Sequence, residues 1–336
     1  MDKIILSYIL PCYNTGNFLN QCVESLLEQG LDQQEYEIIC VNNAATDNTA
    51  DILNKLSLSI SNLKVVTLPV NKCSGGAYNA GLEVAKGKYV LFVDSDDYLK
   101  KGEISRLCKI MEVENLQMLQ FNLIPFCDID NALLKEKMTA NSNFVVEIPV
   151  CNGEEYLKEA TKQMNFLYLP VPAYRKIFLR TFLLDNSLFF TPTTIGTDFL
   201  HMMRCLIVVK RIKSICDKIY YYRYNPAGVS KVKVTKEKVR YALHNYSESY
   251  NCIKKSDLDA SIKDSILKLI RATLQSYIGE IVDLSENDRI KLLKDLNNKP
   301  FLIEISRSFV QRLLFTNYKI YKLLHTVIYS KILKRM

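Results

Sequence analysis

Four short apolar runs alternate with segments of helical periodicity across the first hundred residues, and this alternation narrows the folds open to the chain. The runs cover residues 3–11, 36–42, 63–68 and 89–93. Residues 15–29 place Phe18, Leu19, Cys22, Val23, Leu26 and Leu27 on one helical face, and Gly30 ends that helix. Thr46 is the expected cap of a second helix with Ile52, Leu53 and Leu56 on its face. A third helix carries small residues, Ala77, Ala80, Gly81 and Ala85, and breaks at Gly87. Strands that are apolar on both faces and alternate with helices imply an α/β fold with a parallel sheet covered on both sides. Ligands of such sheets bind beyond the carboxyl ends of the strands, which directs attention to the loops there.

The rest of the 336 residues divides by pattern. Residues 1–100 form the regular α/β part, and 101–234 mix helices, short strands and loops punctuated by Pro170, Pro172 and Pro192. Residues 235–336 read as helical apart from a break near 297–300. No stretch of eighteen apolar residues occurs, and the N-terminus runs straight into a strand without a basic leader or cleavage site, so a cytoplasmic protein is expected. Ten cysteines lie between Cys12 and Cys252 with no C-x-x-C pair; they read as small buried hydrophobes of a reducing compartment.

Three of the strand ends carry polar clusters: Pro11-Cys12-Tyr13-Asn14, Asn42-Asn43 with Thr46-Asp47, and Asp94-Ser95-Asp96-Asp97. A parallel sheet brings them to one edge. Three carboxylates within four residues repel one another unless a cation sits among them. Asp94 and Asp96 point the same way if the strand continues through them, and their hard oxygens suit Mg²⁺ or Mn²⁺. Helix caps or a solvated turn are the alternative use of the same residues.

The order and spacing of these segments resemble glycosyltransferase family 2, inverting enzymes with a nucleotide-binding GT-A fold. The resemblance rests on I-L-P-C-Y-N at 9–14 and E-I-I-C-V-N-N at 37–43 with T-D-N-T at 46–49. It continues through Y-N-A-G-L at 78–82 and A-K-G-K-Y-V-L-F-V-D-S-D-D at 85–97. It implies a GT-A-like, Rossmann-type, mostly parallel sheet flanked by helices, with a C-terminal helical extension. It also implies a nucleotide-sugar donor and a saccharide or lipid-linked acceptor, in bacterial surface-polysaccharide assembly. By similarity Pro11, Tyr13, Asn14, Asn43, Asp94 and Ser95 bind the nucleotide, with Tyr13 near the base, and Asp94 and Asp96 hold the metal. A looser match at 176–190 leads to Thr197-Asp198, where the family has Glu-Asp, and Asp198 is the implied general base. The same residue suits a helix N-cap. The segment 220–231 offers Arg223 and Lys231 to the diphosphate, with the 226–228 turn as a lid.

Three positions depart from the family pattern. Asn43 stands where an acidic residue is usual, which leaves uridine as the leading base; Tyr78 replaces an arginine, and Thr197 replaces a glutamate. His201 reads as a polar neighbour of Asp198 rather than a metal ligand. After Glu304 the chain has no acids, and Val310, Leu314, Tyr321, Leu324, Ile328 and Ile332 share a stripe opposite Arg312, Lys319 and Lys322. Such a basic amphipathic helix at 305–336 suits an anionic membrane surface or a core-packed helix with a solvated basic face. No nucleic-acid motif accompanies it. Two rivals remain. A sugar nucleotidyltransferase needs a Gly-rich basic loop after the first strand, and residues 13–17 hold one glycine and no basic residue. A degenerate, non-catalytic copy that binds a nucleotide-sugar or a partner is the other.

Overall fold

The computed structural model describes residues 4–128, 146–162, 172–225, 234–281 and 284–296. Lys231, the 226–228 turn and the basic tail at 305–336 lie outside them. Strands β1 (Leu6–Cys12), β2 (Tyr36–Asn42), β3 (Leu63–Thr67) and β4 (Tyr89–Phe92) form a parallel sheet in the order β3-β2-β1-β4. Tyr8 of β1 sits opposite Ile38 on one side and Leu91 on the other. Helices α1 (Gly16–Leu27), α2 (Thr49–Ser59) and α3 (Cys73–Val84) make the crossovers.

The second half extends the sheet beyond β4. β8 (Lys176–Leu179) pairs antiparallel with β4 and with β6 (Met118–Phe126). The long β9 (Ile212–Arg223) follows, parallel to β6, and carries β5 (Tyr98–Leu99) and β7 (Ile148–Cys151) antiparallel. The parallel arrangement expected of the first hundred residues is therefore complete, and the later strands make the whole sheet mixed.

Period-two alternation divides the strands between two cores. Tyr8, Leu10, Ile38, Cys40, Leu91 and Val93 face α1, α2 and α4 (Ile104–Val113). Ile9, Ile39, Val41, Val90 and Phe92 face α3 and the helices of the second half. Those helices are α5 (Gly153–Lys162), α6 (Arg180–Asp185), α7 (Thr197–Val208), α8 (Lys236–Lys255), α9 (Ala260–Glu280) and α10 (Glu286–Leu296). The small residues of α3 have a steric purpose: a Cβ on Gly81 would lie 2.3 Å from Cγ2 of Ile9, so only glycine lets α3 rest this closely on β1.

Three local expectations are corrected. Thr46 does not cap α2; Asn48 is its N-cap, and Thr46 bonds Asn14 of the neighbouring loop instead. The fourth strand ends at Phe92, and the N–H of Asp97 turns back to the carbonyl of Asp94 at 3.0 Å. Asp94 and Asp96 thus sit on a turn, and strand alternation does not aim them together. Asp198 is not a cap either: α7 begins at Thr197 after Gly196, a left-handed residue at φ 74°, and Asp198 lies in its first turn.

Candidate active site

The carboxyl ends of β1, β2 and β4 are tied to one another by their own loops. The Asn43 N–H donates to the carbonyl of Cys12 at 2.9 Å. The Ser95 hydroxyl, 2% exposed, donates to the carbonyl of Pro11 at 2.8 Å and meets the Thr15 hydroxyl at 2.9 Å. Asn14, left-handed at φ 55°, accepts the Thr46 N–H on its Oδ1 at 2.8 Å. Tyr13 is left 44% exposed beside this knot.

Asn43 is 2% exposed and its carboxamide is fixed by the loop before α3. Nδ2 donates to Oδ1 of Asn71 at 3.2 Å and to the carbonyl of Cys73 at 3.1 Å, while Oδ1 accepts the Lys72 N–H at 2.8 Å. Both donor hydrogens are spent. The remaining hydrogen-bonding capacity of this side chain is the second lone pair on Oδ1.

The three acidic residues after β4 have separate partners. Asp94 follows Phe92 on the α3 side, and its Oδ1 accepts the phenol proton of Tyr78. Its N–H donates to the hydroxyl of Tyr220 at 3.0 Å. Burial and the charge of Asp96 push Asp94 up to about 7, with a further contribution from Asp198, while the Tyr78 bond opposes the rise. Asp96 accepts from the Asn225 amide at 3.0 Å. Asp97, 2% exposed, accepts the Arg223 N–H at 2.7 Å and anchors the turn to β9.

Among the described residues no three metal-type side chains converge. Two carboxylates at the mouth of the sheet still fit a hard divalent cation. After burial, the charge of Asp96 is what raises Asp94, and a cation held by the two would keep both ionised at neutral pH. Diphosphate and water oxygens would complete the shell.

Asp198 reaches the same edge from α7. Its Oδ1 is closed to solvent and has no hydrogen-bond partner, and the carboxylate also accepts the backbone N–H of Ala173. Burial pushes it up to about 6, against the opposing pull of the Lys176 ammonium and the Ala173 N–H. Lys176 is fully buried at the start of β8, donates to the carbonyl of Pro172 at 2.6 Å, and is held well below the usual lysine range by burial and Arg175. His201 lies in the core, stacked on Phe190 at 3.8 Å between ring centroids. Burial and the Lys176 and Arg204 charges hold it down at about 3, so it is a neutral ring.

Arg223 is 6% exposed and fully engaged within the chain. Nε donates to the carbonyl of Asp96 at 2.7 Å, and its two terminal nitrogens bond Asp128 and Gln21. Its guanidinium lies over the rings of Phe18 and Phe126, at 4.9 and 4.6 Å. It clamps the acidic turn between α1 and β9. Tyr78 and Tyr220 are site residues that sequence reasoning did not place. Tyr220 opens the 220–231 segment without standing out in it, and at 78 the hint was negative, the loss of an arginine, because a phenol that bonds a carboxylate sixteen residues away leaves no local pattern. A concavity of about 520 Å³ bordered by Ile5, Glu35, Lys88 and Glu112 lies at the opposite, amino end of β1 and β4, away from this chemistry.

Residues 7–204, more than half of the chain, match the model of glycosyl transferase family 2. The chain belongs to that family. It is 28% identical over 295 residues to a poly(ribitol-phosphate) beta-glucosyltransferase of Bacillus spizizenii, covering 86% of this chain and 42% of that one. It is 26% identical over 309 residues to TarS, a poly(ribitol-phosphate) beta-N-acetylglucosaminyltransferase of Staphylococcus aureus, covering 91% of this chain and 49% of that one. The chain therefore spans less than half the length of these two relatives. The structure of residues 1–349 of TarS in complex with UDP-GlcNAc superposes with a TM-score of 0.68 at 23% identity, over 92% of this chain and 86% of that one. A Pyrobaculum calidifontis mannosyltransferase in complex with GDP-Man and Mn²⁺ gives 0.52 at 12% identity, over 97% and 86%. The GT-A architecture expected from the sequence is thus the fold of the chain.

Proposed function

We propose that this chain transfers a sugar, with inversion, from a UDP-sugar to a hydroxyl of a saccharide or lipid-linked acceptor in the assembly of a bacterial cell-surface polysaccharide. The observation that carries the reading is Asp198. A carboxylate with one oxygen unpartnered, its pKa about 6, at the edge where Asp94 stands, has the form of a general base. The acceptor hydroxyl gives its proton to Asp198 as its oxygen bonds the anomeric carbon. The bond from that carbon to the donor's phosphate oxygen breaks with its electron pair, and the nucleoside diphosphate leaves. One base suffices, and no covalent nucleophile is needed.

Pro11, Tyr13 and Asn14 line the nucleotide side, with the exposed Tyr13 ring against the base, and Ser95 fixes the acidic turn to β1. Asn43 supports uridine: with both its amide hydrogens spent, it is left an acceptor, which suits the ring N–H of uracil and not the bare ring nitrogen of cytosine. Asp94 and Asp96 hold Mg²⁺ or Mn²⁺, which supplies a Lewis acid for the charge developing on the diphosphate. Tyr78 keeps Asp94 oriented from α3. Arg223 acts by bracing the acidic turn, and Lys231 is offered to the diphosphate by the sequence pattern alone. The setting is the cytoplasmic face of the membrane, with the basic segment 305–336 on anionic lipid. The UDP-GlcNAc complex of TarS and the Mn²⁺ complex of the mannosyltransferase support the donor and metal classes.

Calorimetric titration with UDP, GDP, CDP and TDP, each with and without Mn²⁺, tests the reading. UDP is expected to bind best and only with metal, and Asp96→Ala to abolish that binding. Absence of binding by every nucleotide with metal present sinks the proposal and favours the non-catalytic copy.

A further inference from the structure

The segment that delivers Asp198 is held from both sides by residues with no part in the chemistry. From α3, the Asn79 amide donates to the carbonyl of Phe190 at 2.8 Å and accepts the Phe190 N–H at 2.9 Å. Beside it Gly75 is so close that a Cβ would lie 1.9 Å from the carbonyl oxygen of Thr191. From α8, Asn245 enters the other side with no exposed surface at all. Its Nδ2 donates to the Thr193 hydroxyl at 2.7 Å and to the carbonyl of Ile195 at 2.6 Å, and its Oδ1 accepts the Thr191 hydroxyl at 2.9 Å. The Thr197 hydroxyl closes the loop by donating to the Thr191 carbonyl at 2.9 Å.

Three bonds from one buried amide therefore fix residues 191, 193 and 195, the stretch that ends three residues before Asp198. A carboxamide is suited to this task because it offers donors and an acceptor from one rigid plane without burying a charge. Residues of one amphipathic helix normally meet their neighbours through apolar side chains, as Leu243, Tyr246, Tyr250 and Ile253 of α8 do. An asparagine at the centre of that face, with both amide hydrogens and its oxygen bonded, is costly unless its geometry matters, since each lost partner would leave a buried polar group unpaired.

We propose that Asn245, in the helical extension, is a positioning residue for the general base. It sets the path of residues 191–196 and through them the placement of Asp198 at the start of α7. The inference rests on the role assigned to Asp198 above. It makes the helical extension part of the catalytic apparatus rather than an attached module, and it assigns Thr197, which replaces the family's glutamate, to this scaffold.

The test compares Asn245→Ala with Ile253→Ala in the full chain. Ile253 is equally buried on the same helix and has no bond to the segment. Release of UDP from UDP-glucose and UDP-N-acetylglucosamine is measured with Mn²⁺, together with UDP affinity, thermal midpoint and hydrogen exchange across 190–198. Asn245→Ala is expected to lower kcat by about 10- to 100-fold, the cost of misplacing a catalytic group by roughly 1 Å, with UDP affinity within about threefold. Amide exchange across 190–198 is expected to accelerate in Asn245→Ala and not in Ile253→Ala. Unchanged exchange, unchanged kcat, or an equal loss of kcat in Ile253→Ala at the same thermal midpoint overturns the proposal. If Asn245→Ala does not fold, Thr193→Val removes one of the same bonds from the segment's side, and wild-type exchange in that variant overturns it. A wild-type chain that releases no UDP from either donor counts against the assigned reaction, while the exchange comparison still decides the positioning.

Discussion

Asp198, the proposed base, shows how its surroundings tune one carboxylate. Burial raises it to about 6, and the nearby Lys176 charge and Ala173 N–H stop the rise there, so it is ionised at neutral pH yet basic enough to take a proton. With saturating metal, kcat/KM should be flat above pH about 6 and fall about tenfold per unit below it as Asp198 protonates. A profile that stays flat through that range removes Asp198 as the base. Asp198→Asn should lose about 10²- to 10⁴-fold in turnover while keeping UDP affinity. The same substitution has a stability signature. Because the folded pKa is raised above the unfolded one, the wild-type chain binds more protons when folded. The contribution of Asp198 to stability is then fully present below the unfolded carboxyl's range and is lost as pH rises through about 6. Urea midpoints of Asp198→Asn should lack that loss, so the variant gains on the wild type toward neutral pH. Tyr78 and Asn43 carry a related lesson: both depart from the family pattern, and both occupy buried hydrogen-bonded positions at the site.

At the scale of elements, what the sequence made legible was what local spacing encodes. Alternating apolar runs placed β1 to β4 and the three helices between them, because a buried strand or an amphipathic helix writes its period into neighbouring residues. Long-range pairing was not legible. Nothing near Lys176 signals that β8 slots antiparallel between β4 and β6, and nothing near Thr46 signals that Asn14, thirty-two residues earlier, will take its N–H. The site divides the same way. The strand-end clusters were readable as a set, whereas the turn that separates Asp94 from Asp96, the closure of Arg223 onto Gln21 and the reach of Asn245 depend on contacts between distant segments. The Y-N-A-G-L segment is readable in both respects once the packing is known, since Asn79 clasps Phe190 and Gly81 lets α3 touch β1. Gly81→Ala is therefore expected to destabilise the chain by about 1–3 kcal/mol, the usual cost of overpacking, read as a lower urea midpoint. An unchanged midpoint would mean that α3 can lift from Ile9 without loss.

For the whole molecule, the change of pattern near residue 235 is not a boundary in the core. A single apolar cluster runs from Ile9, Val41 and Phe92 of the sheet through Phe199 and Met203 of α7 to Leu243 and Ile253 of α8. It continues to Ile262, Ile266, Ile270, Leu274 and Ile278, a stripe at every fourth residue of α9. On α8 alone, Val239, Leu243, Tyr246, Tyr250 and Ile253 are buried, and at about 1.5–3 kcal/mol for each large apolar side chain their exposure costs roughly 10 kcal/mol. That is comparable to the whole stability of an ordinary domain, about 5–15 kcal/mol. The helices and the sheet should then unfold together, in one calorimetric transition, and UDP with Mn²⁺ should raise its midpoint for both. A fragment ending at residue 234 is expected to aggregate, since it would present the α7 face of that core to water. Two separated transitions, with only the lower or only the upper one moved by UDP, would instead make the extension an independent body, and the bonds of Asn245 would then be too weak to hold the base-bearing segment in place.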